Sequence, residues 1–239
     1  MGDRSKARTT TTSRDVVIAE LRQRILDLSI KPGSSVSENE LANQLGVSRT
    51  PVRESLILLA GEGLIEIYPQ VGTFVSRIDP AAVADAQFIR EALETASLRE
   101  LVATIDDGQI GTLRDILDQQ QLAVRSQDVD RFFELDEQLH RTMMDLAGHD
   151  SAWTVVRSAR AHLERARRAS LPVADTLGRM LQQHTTIVDR LSSGSTDEAE
   201  KALRSHLREV FHDINEVKAQ SPEYFANGRS RPTRRAHLS

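Results

Sequence analysis

The stretch GVSRTPVRESL, Gly46–Leu56, is the most specific local pattern in the chain. Gly46 permits a sharp turn between two helices, and Val47 is apolar and can pack beneath that turn. Ser48 is a residue type common at a helix N-cap, so a second helix is expected to begin there. The polar and basic side chains expected at the exposed N-terminal end of this second helix are Ser48, Arg49, Thr50 and Arg53.

The segments on either side of this stretch extend the pattern. Ser13–Ser29 has apolar residues at helical spacing, and SENE at Ser37–Glu40 is a capping box that opens a short helix. Leu64–Ser76 has two β-prone arms around a Pro69–Gly72 turn, which is typical of a hairpin. The predicted order is helix, helix, turn, helix and hairpin, a winged helix-turn-helix over residues 13–78.

The N-terminal end of the second helix is suited to bind DNA. Backbone N–H groups and the helix dipole attract phosphate, and the hydroxyls of Ser48 and Thr50 add contacts. The guanidinium groups of Arg49 and Arg53 can bind guanine in the major groove. The hairpin would contact the flanking backbone or minor groove. The alternative is an ordinary exposed helix with two arginines, but the helix order and the hairpin favour DNA binding.

After Ile78–Asp79–Pro80 the pattern becomes helical throughout. Asp followed by Pro is a good N-cap and first-turn pair, so a helix is expected to begin there. The spacing predicts an all-α antiparallel bundle of six to seven helices over residues 79–222. The six helical segments lie at about Ala81–Thr104, Gln109–Gln127, Val129–Ala147, Ala152–Ala169, Thr176–Ser192 and Thr196–Ala219.

The stretch FFELDEQLHRTM, Phe132–Met143, places a carboxylate and an imidazole on the apolar face of one helix. Asp136 and His140 are four residues apart, so both side chains point the same way. His184 and His206 lie on the apolar faces of two later helices. A buried, unpartnered carboxylate costs on the order of several kcal/mol, whereas a divalent cation binds a carboxylate and neutral imidazoles together. The alternative for each histidine is an ordinary hydrogen-bonded core residue.

The composition excludes several other classes of protein. Of the 239 residues 39% are hydrophobic and 28% charged, which is typical of a soluble globular chain, expected in the cytoplasm. No stretch approaches the ~18 apolar residues of a membrane span, and MGDRSKARTTTTSR lacks the apolar core of a secretion signal. The absence of cysteine leaves only nitrogen and oxygen donors for a metal. Residues 1–12 are expected to be disordered and residues 223–239 to form a flexible basic tail.

The first domain resembles the winged helix-turn-helix of GntR-family bacterial transcription regulators. The resemblance covers LSIKPGSSVSENELANQLGVSRTPVRESLILLAGEGLIEIYPQVGTFVS, Leu28–Ser76. It implies that Ser48, Arg49, Thr50 and Arg53 contact DNA and that Gly72 is the glycine at the wing tip. Asn39 occupies a position that is often Arg in relatives that contact DNA from the preceding helix. The operator sequence therefore does not carry over.

The second domain resembles the FCD-type effector domain of the FadR subgroup. The segments FIREALETASLREL, LDEQLHRTMMDLAGH, QQHTTIVDRL and AEKALRSHL carry this resemblance. It implies that a divalent metal is bound and that the carboxylate of a small organic acid completes its coordination. Arg90 matches an arginine that often faces the same cavity, and it can bind the far end of such an acid; Arg160 and Arg167 are weaker candidates. The implied metal ligands, in chain order, are Asp136, His140, His184 and His206.

Together these observations predict a homodimeric transcription regulator, usually a repressor in this family, that binds double-stranded DNA at a palindromic operator. A small carboxylate effector would control DNA binding, and Zn, Ni or Mn would suit the donors. One alternative is a metal-responsive regulator whose metal is structural or is itself the signal. A metalloenzyme fused to a DNA-binding domain is less favoured, because no general base is evident. The other four histidines, expected at the surface or in loops, are His149, His162, His212 and His237.

Overall fold

The computed structural model describes residues 13–170 and 176–226. The chain divides between Ser76 and Arg77 into two compact units. The described residues confirm the expected fold class, a mostly helical chain with a small antiparallel sheet at its N-terminal side. Residues 1–12, expected to be disordered, and residues 227–239 of the expected basic tail lie outside the described part. None of the described helices is long and apolar enough to cross a membrane.

The N-terminal unit has the predicted order of elements. Ser37 accepts a hydrogen bond from the Glu40 backbone N–H at the start of the second helix, as a capping residue does. Gly46 ends that helix with φ 65°, in the left-handed region where glycine is favoured. The elements are α1 (Ser13–Leu26), β1 (Ser35–Val36), α2 (Glu38–Leu45), α3 (Arg49–Gly61), β2 (Ile65–Tyr68) and β3 (Gly72–Val75).

The wing has one strand more than the sequence predicted. The expected hairpin is present as β2 and β3, with Tyr68 opposite Gly72 at its turn. The short strand β1 pairs antiparallel with β3, so the order across the sheet is β1-β3-β2. The sequence did not predict β1, because two residues are too few to show an alternating pattern.

The second unit is a helical bundle of seven helices within the described residues. The single helix expected over Ala152–Ala169 is two helices, because Arg160 ends one and precedes the other. The bundle core contains buried residues of five of these helices, α4, α5, α6, α9 and α10. The helices are α4 (Pro80–Val102), α5 (Asp107–Ser126), α6 (Val129–Leu146), α7 (Asp150–Ala159), α8 (Ala161–Ala169), α9 (Thr176–Ser192) and α10 (Thr196–Gln220).

The segment after α10 corrects the expected start of the tail. Pro222–Tyr224 forms a 3-10 helix, and Phe225 is buried at 1% exposure in a core shared with Ile78. The backbones of Ile78 and Phe225 pair in a parallel bridge. The tail expected from residue 223 is therefore part of the folded unit as far as Ala226. Basic residues in the tail suggested a solvated segment, but a single large apolar side chain is enough to bring this part onto the bundle.

Candidate metal centre and nucleic-acid interface

The start of α3 presents the four side chains that the sequence predicted for DNA. Ser48, Arg49, Thr50 and Arg53 are all exposed. Ser48 stands at the N-cap position but makes no capping hydrogen bond through its side chain, which corrects the expectation that it caps α3. The Arg49 side chain is 66% exposed and forms an ion pair with Glu38 at 3.2 Å. Such an exposed pair is weak and can be exchanged for a phosphate or a base.

Asn39 and Gly72 are the two remaining positions implied for DNA contact. Asn39 is exposed in the first turn of α2, and Gly72 is exposed at the turn between β2 and β3. Gly72 has φ 147°, and a Cβ there would lie 3.3 Å from Cε2 of Phe74. The backbone conformation and the close aromatic ring both favour glycine at this turn.

Four donor side chains converge inside the helical unit. Asp136 and His140 project from α6, His184 from α9 and His206 from α10, and all four are buried. One ligand atom from each lies within 4.8 Å of the others, and such a group could hold a metal ion. Residues that are far apart in the sequence therefore meet at one point.

The distances show that the imidazoles meet through the same ring atom. Nε2 of His206 lies 3.2 Å from Nε2 of His140 and 3.3 Å from Nε2 of His184. Oδ1 of Asp136 lies 3.3 Å from Nε2 of His184 and 3.8 Å from Nε2 of His140. Three Nε2 atoms and one carboxylate oxygen therefore face a common centre.

An oxygen atom from a neighbouring helix faces the other nitrogen of each ring. Nδ1 of His140 lies 2.7 Å from Oε2 of Glu94. Nδ1 of His184 is 2.9 Å from Oε1 of Gln120, and Nδ1 of His206 is 2.8 Å from Oε1 of Gln183. The hydrogen bonds at His184 and His206, and the carboxylate beside Nδ1 of His140, favour the tautomer with Nδ1–H and leave a lone pair on each Nε2.

This arrangement fits a bound cation. Lone pairs on three Nε2 atoms repel one another when no proton or metal lies between them, yet two of the pairs are only 3.2 and 3.3 Å apart. A cation at the common centre turns that repulsion into attraction and uses Asp136 as its anionic ligand. Oxygen partners outside the donor set orient the rings, as they do for histidine ligands in general.

Arginines neutralise the two buried carboxylates of this region. Both oxygens of Asp136 accept hydrogen bonds from Arg167 of α8, at 2.9 and 3.0 Å. Oε1 of Glu94 accepts a hydrogen bond from Nε of Arg90, four residues earlier in α4, at 2.7 Å. The contacts of Asp136 thus include a cation of the protein itself, and the other oxygen of Glu94, Oε2, faces His140.

Electrostatics keep three of the four donors in the protonation states that a metal site needs. Burial lowers the pKa of His184 to about 4 and the pKa of His206 well below its usual range, so both are neutral near pH 7. Burial opposes ionisation of Asp136, but Arg167 and His184 outweigh it and hold its pKa well below the usual range. For Glu94, Arg90 and His140 likewise outweigh burial and lower its pKa to about 2.

A narrow cavity of about 10 Å³ adjoins the donor set, and Arg90, Arg167 and His206 are among its lining residues. The volume is that of one water molecule, so a small organic acid does not fit beside the side chains as they stand. Arg160 does not line this cavity; it pairs with Glu137 at 3.3 Å.

The other histidines do not join the donor set. His212 is exposed as expected, His149 is half-buried at the N-cap of α7, and His237 lies outside the described residues. His162 was expected at the surface, but it is half-buried, and its Nδ1 accepts a hydrogen bond from the Asp79 backbone N–H at 3.1 Å. Its sequence neighbours in the basic segment AHLERARRA suggested a solvated helix, whereas α8 packs against α4 and α10.

A winged helix-turn-helix followed by an all-helical domain is the architecture of a DNA-binding transcription regulator. The profile of bacterial regulatory proteins, gntR family, matches residues 13–75, and the profile of the FCD domain matches residues 85–209. The chain belongs to the GntR family and carries an FCD domain, a domain type known to bind metals. The expected family is thereby confirmed.

Relatives of known name agree with this assignment. An uncharacterized HTH-type transcriptional regulator in an unstable DNA locus of Streptomyces ambofaciens is 50% identical over 216 residues, 90% of either chain. The HTH-type transcriptional repressor RspR of Escherichia coli is 34% identical over 206 residues, 86% of this chain and 90% of its own. A putative GntR regulator from Rhodococcus has the same fold, with a TM-score of 0.72 at 22% identity over 85% of this chain and 97% of its own.

Proposed function

We propose that this regulator is a homodimeric repressor whose DNA binding is controlled by a small carboxylate at a divalent metal in the FCD domain. The observation that carries the proposal is the convergence of three Nε2 atoms and one carboxylate oxygen within 4.8 Å, in a chain that also has a winged helix-turn-helix. The proposed metal ligands are Asp136, His140, His184 and His206.

The DNA contacts proposed for each protomer come from α3, α2 and the wing. The exposed N-terminus of α3 offers backbone N–H groups to phosphate, and its arginines can bind guanine. A two-fold dimer places two such helices in successive major grooves, which calls for a palindromic operator. The contacting residues proposed are Ser48, Arg49, Thr50 and Arg53, with Asn39 and Gly72.

Zn, Ni or Mn is the proposed metal, because each accepts imidazole nitrogen and carboxylate oxygen. A bound metal would supply a fixed positive charge that attracts a carboxylate oxygen. Arg90 lines the adjacent cavity and is proposed to pair with the far end of the effector. Because Arg90 is now bound to Glu94 and the cavity holds about 10 Å³, effector binding requires these side chains to move.

The FadR subgroup and the repressor role are proposed from likeness. The FCD domain is the domain type of that subgroup, and the relative RspR is named a repressor. A repressor of this kind releases DNA when its effector binds one state of the regulator better than the other.

The test combines metal analysis with DNA binding. An operator is first selected from a random duplex library with the purified full-length protein. Fluorescence anisotropy then measures operator affinity for the metal-free protein, the metal-loaded protein, and the metal-loaded protein with each of a panel of small carboxylic acids. The proposal predicts about one bound metal per chain and a loss of affinity only when metal and acid are both present. A protein that binds DNA identically in all three states would refute it.

A metal-responsive regulator is the second candidate, and the small cavity favours it. In that case the metal alone changes operator affinity, and no acid adds to the change. The same titration separates the two candidates. A metalloenzyme is less favoured, because the relatives are transcription regulators; steady turnover of a carboxylic acid by the metal-loaded protein would revive it.

A further inference from the structure

Arg167 holds the carboxylate that the metal site needs. Its guanidinium binds both oxygens of Asp136, Nη1 to Oδ2 at 2.9 Å and Nη2 to Oδ1 at 3.0 Å, and both residues are buried. Oδ1 is also the oxygen that lies 3.3 Å from Nε2 of His184. The one anionic ligand of the donor set is therefore already bound to a cation that belongs to the protein.

The charges around the donor set balance without a metal. Asp136 and Glu94 each bring a negative charge, and Arg167 and Arg90, their hydrogen-bonded partners, each bring a positive one. A divalent cation would leave two positive charges in excess in a buried region, where such an excess is strongly unfavourable. Either an anion must enter or an arginine must move.

We propose that Arg167 is the internal counter-ion of Asp136 in the metal-free protein and that it leaves Asp136 to bind the effector carboxylate once a cation is present. The inference rests on the proposed function and adds to it the residue that links the two ligands. The metal and Arg167 compete for one carboxylate, and the effector ends that competition by taking the guanidinium. Metal and carboxylate therefore bind with positive cooperativity.

The surroundings of Arg167 suit this second role. Its side chain lines the same narrow cavity as Arg90 and His206. The planar guanidinium matches a carboxylate with two parallel hydrogen bonds. Its central carbon, Cζ, also lies 5.7 Å from the ring centroid of Phe133. A cation–π contact with this ring can therefore stabilise the guanidinium when it leaves Asp136. Withdrawal of Arg167 from Asp136 would enlarge a cavity that now has the volume of one water molecule.

A purely structural role for Arg167 makes the opposite prediction. If the guanidinium only orients Asp136 as a ligand, its removal weakens metal binding. If it competes with the metal, its removal strengthens metal binding while the metal-free protein loses stability. Arg160 of the same segment is the matched control, because it pairs with Glu137 and Glu164 and does not contact Asp136.

The experiment measures Zn²⁺ affinity of the full-length protein by competition with a fluorescent chelator. In carboxylate-free buffer Arg167→Gln is expected to bind Zn²⁺ at least tenfold more tightly than the wild type, and to melt at a lower temperature when metal-free. Formate, acetate and succinate serve as probes. At least one should raise the Zn²⁺ affinity of the wild type and of Arg160→Gln, and it should raise that of Arg167→Gln by a clearly smaller factor.

Each outcome decides between the possibilities. Weaker Zn²⁺ binding by Arg167→Gln would overturn the inference and leave the proposed metal site intact. If none of the three acids raises the Zn²⁺ affinity of the wild type, the inferred cooperativity between metal and carboxylate through Arg167 is wrong. Absence of Zn²⁺ binding by the wild type would overturn both the inference and the proposed function. If Arg167→Gln does not fold, Arg167→Lys replaces it; that variant keeps the charge, loses the two-pronged pairing, and should bind Zn²⁺ with an affinity above that of the wild type.

Discussion

At the scale of single residues, the donor set depends on which nitrogen of each imidazole carries the proton. Glu94, Gln120 and Gln183 each place an oxygen against an Nδ1 atom and so direct three Nε2 lone pairs to one centre. Asp136 and His140 were recognisable in the sequence, because a carboxylate and an imidazole four residues apart stand out on an apolar face. The three oxygen partners were not, because Glu and Gln occur at many helical positions and only the packing shows which ones face a ring.

Removal of one imidazole should lower metal content and metal-dependent stability together. In His184→Ala the remaining donors lose an Nε2 ligand, so the gain in melting temperature that Zn²⁺ gives the wild type should shrink or vanish. Elemental analysis and thermal unfolding with and without Zn²⁺ measure the two effects. The control is His149→Ala, because His149 has a partly exposed side chain and lies outside the donor set; this variant should keep the wild-type metal content. Full metal occupancy in His184→Ala would remove that residue from the site.

The arginines of α3 should contribute to DNA affinity individually. Arg49→Ala or Arg53→Ala is expected to weaken operator binding by about 1–3 kcal/mol if the side chain binds a base. Fluorescence anisotropy with the selected operator measures the change. Arg131→Ala, an exposed arginine on α6, is the control and should leave the affinity unchanged. Wild-type affinity in both α3 variants would show that this helix does not contact the bases.

His162 should make the stability of the helical unit depend on pH. Burial, followed by the charge of Arg165, lowers the pKa of His162 to about 4 from a usual 6.5. The neutral ring accepts the Asp79 backbone N–H at its Nδ1. The unfolded chain binds the proton more readily, so this contribution to stability is present above pH 6.5 and is lost as the pH falls toward 4. The full loss is on the order of 3–4 kcal/mol at about 1.4 kcal/mol per pKa unit.

The variant His162→Asn isolates this contribution. An Asn side chain offers an oxygen acceptor near the position of Nδ1 but does not titrate. Denaturant unfolding of the wild type and the variant between pH 7 and pH 4 should show a smaller decline in the variant. Parallel declines would mean that other groups account for the acid sensitivity.

At the scale of secondary-structure elements, the sequence was informative where one residue type has a strong local preference. The N-cap Asp79 followed by Pro80 fixed the start of α4, and Gly46 fixed the end of α2. The break at Arg160 carried no such residue, because AHLERARRA continues the helical composition without Gly or Pro. Ser195 and Glu198 have the spacing of a capping box, yet Ser195 makes no capping hydrogen bond through its side chain. Packing of neighbouring helices overrides weak local preferences at such positions.

Two glycines of the N-terminal unit should respond oppositely to substitution by alanine. Gly46 has φ 65°, so Gly46→Ala should destabilise by about 1–2 kcal/mol. Gly61 is the last residue of α3 and a Cβ there meets nothing within 4 Å, so Gly61→Ala should be neutral or stabilise by up to about 1 kcal/mol. Urea unfolding of the full chain followed by circular dichroism measures both. A stabilised Gly46→Ala variant would contradict the assignment of the turn.

At the scale of the whole molecule, the net charge of −4 gives no sign of DNA binding. The groups proposed to bind DNA are only a few exposed side chains on α2, on α3 and at the wing. The fold was predictable because helical periodicity and turn residues recur along the chain, and the family was predictable from the resemblance of Leu28–Ser76 to GntR-family regulators. The small cavity, the Arg167 pairing and the packing of Phe225 depend on contacts between distant segments. Patterns within a single segment do not contain that information.

The bridge between Ile78 and Phe225 predicts that the last described segment stabilises the FCD domain. Phe225→Ala removes a side chain that is 1% exposed and should cost about 3–5 kcal/mol. Phe211→Ala is the matched control, since Phe211 is 40% exposed and surface substitutions usually change stability by about 0.5 kcal/mol or less. Thermal unfolding of both variants measures the difference. Equal melting temperatures would show that the segment does not contribute.

The same bridge has a practical consequence for dissecting the protein. The backbone at the start of the helical unit pairs with the backbone at its end, through the bridge between Ile78 and Phe225. An excised fragment of residues 77–226 therefore keeps both halves of this bridge. A fragment that stops at Gln220 leaves Ile78 facing water and should aggregate or be cleaved by proteases. Affinity tags and fluorescent fusions are therefore best attached beyond Ala226.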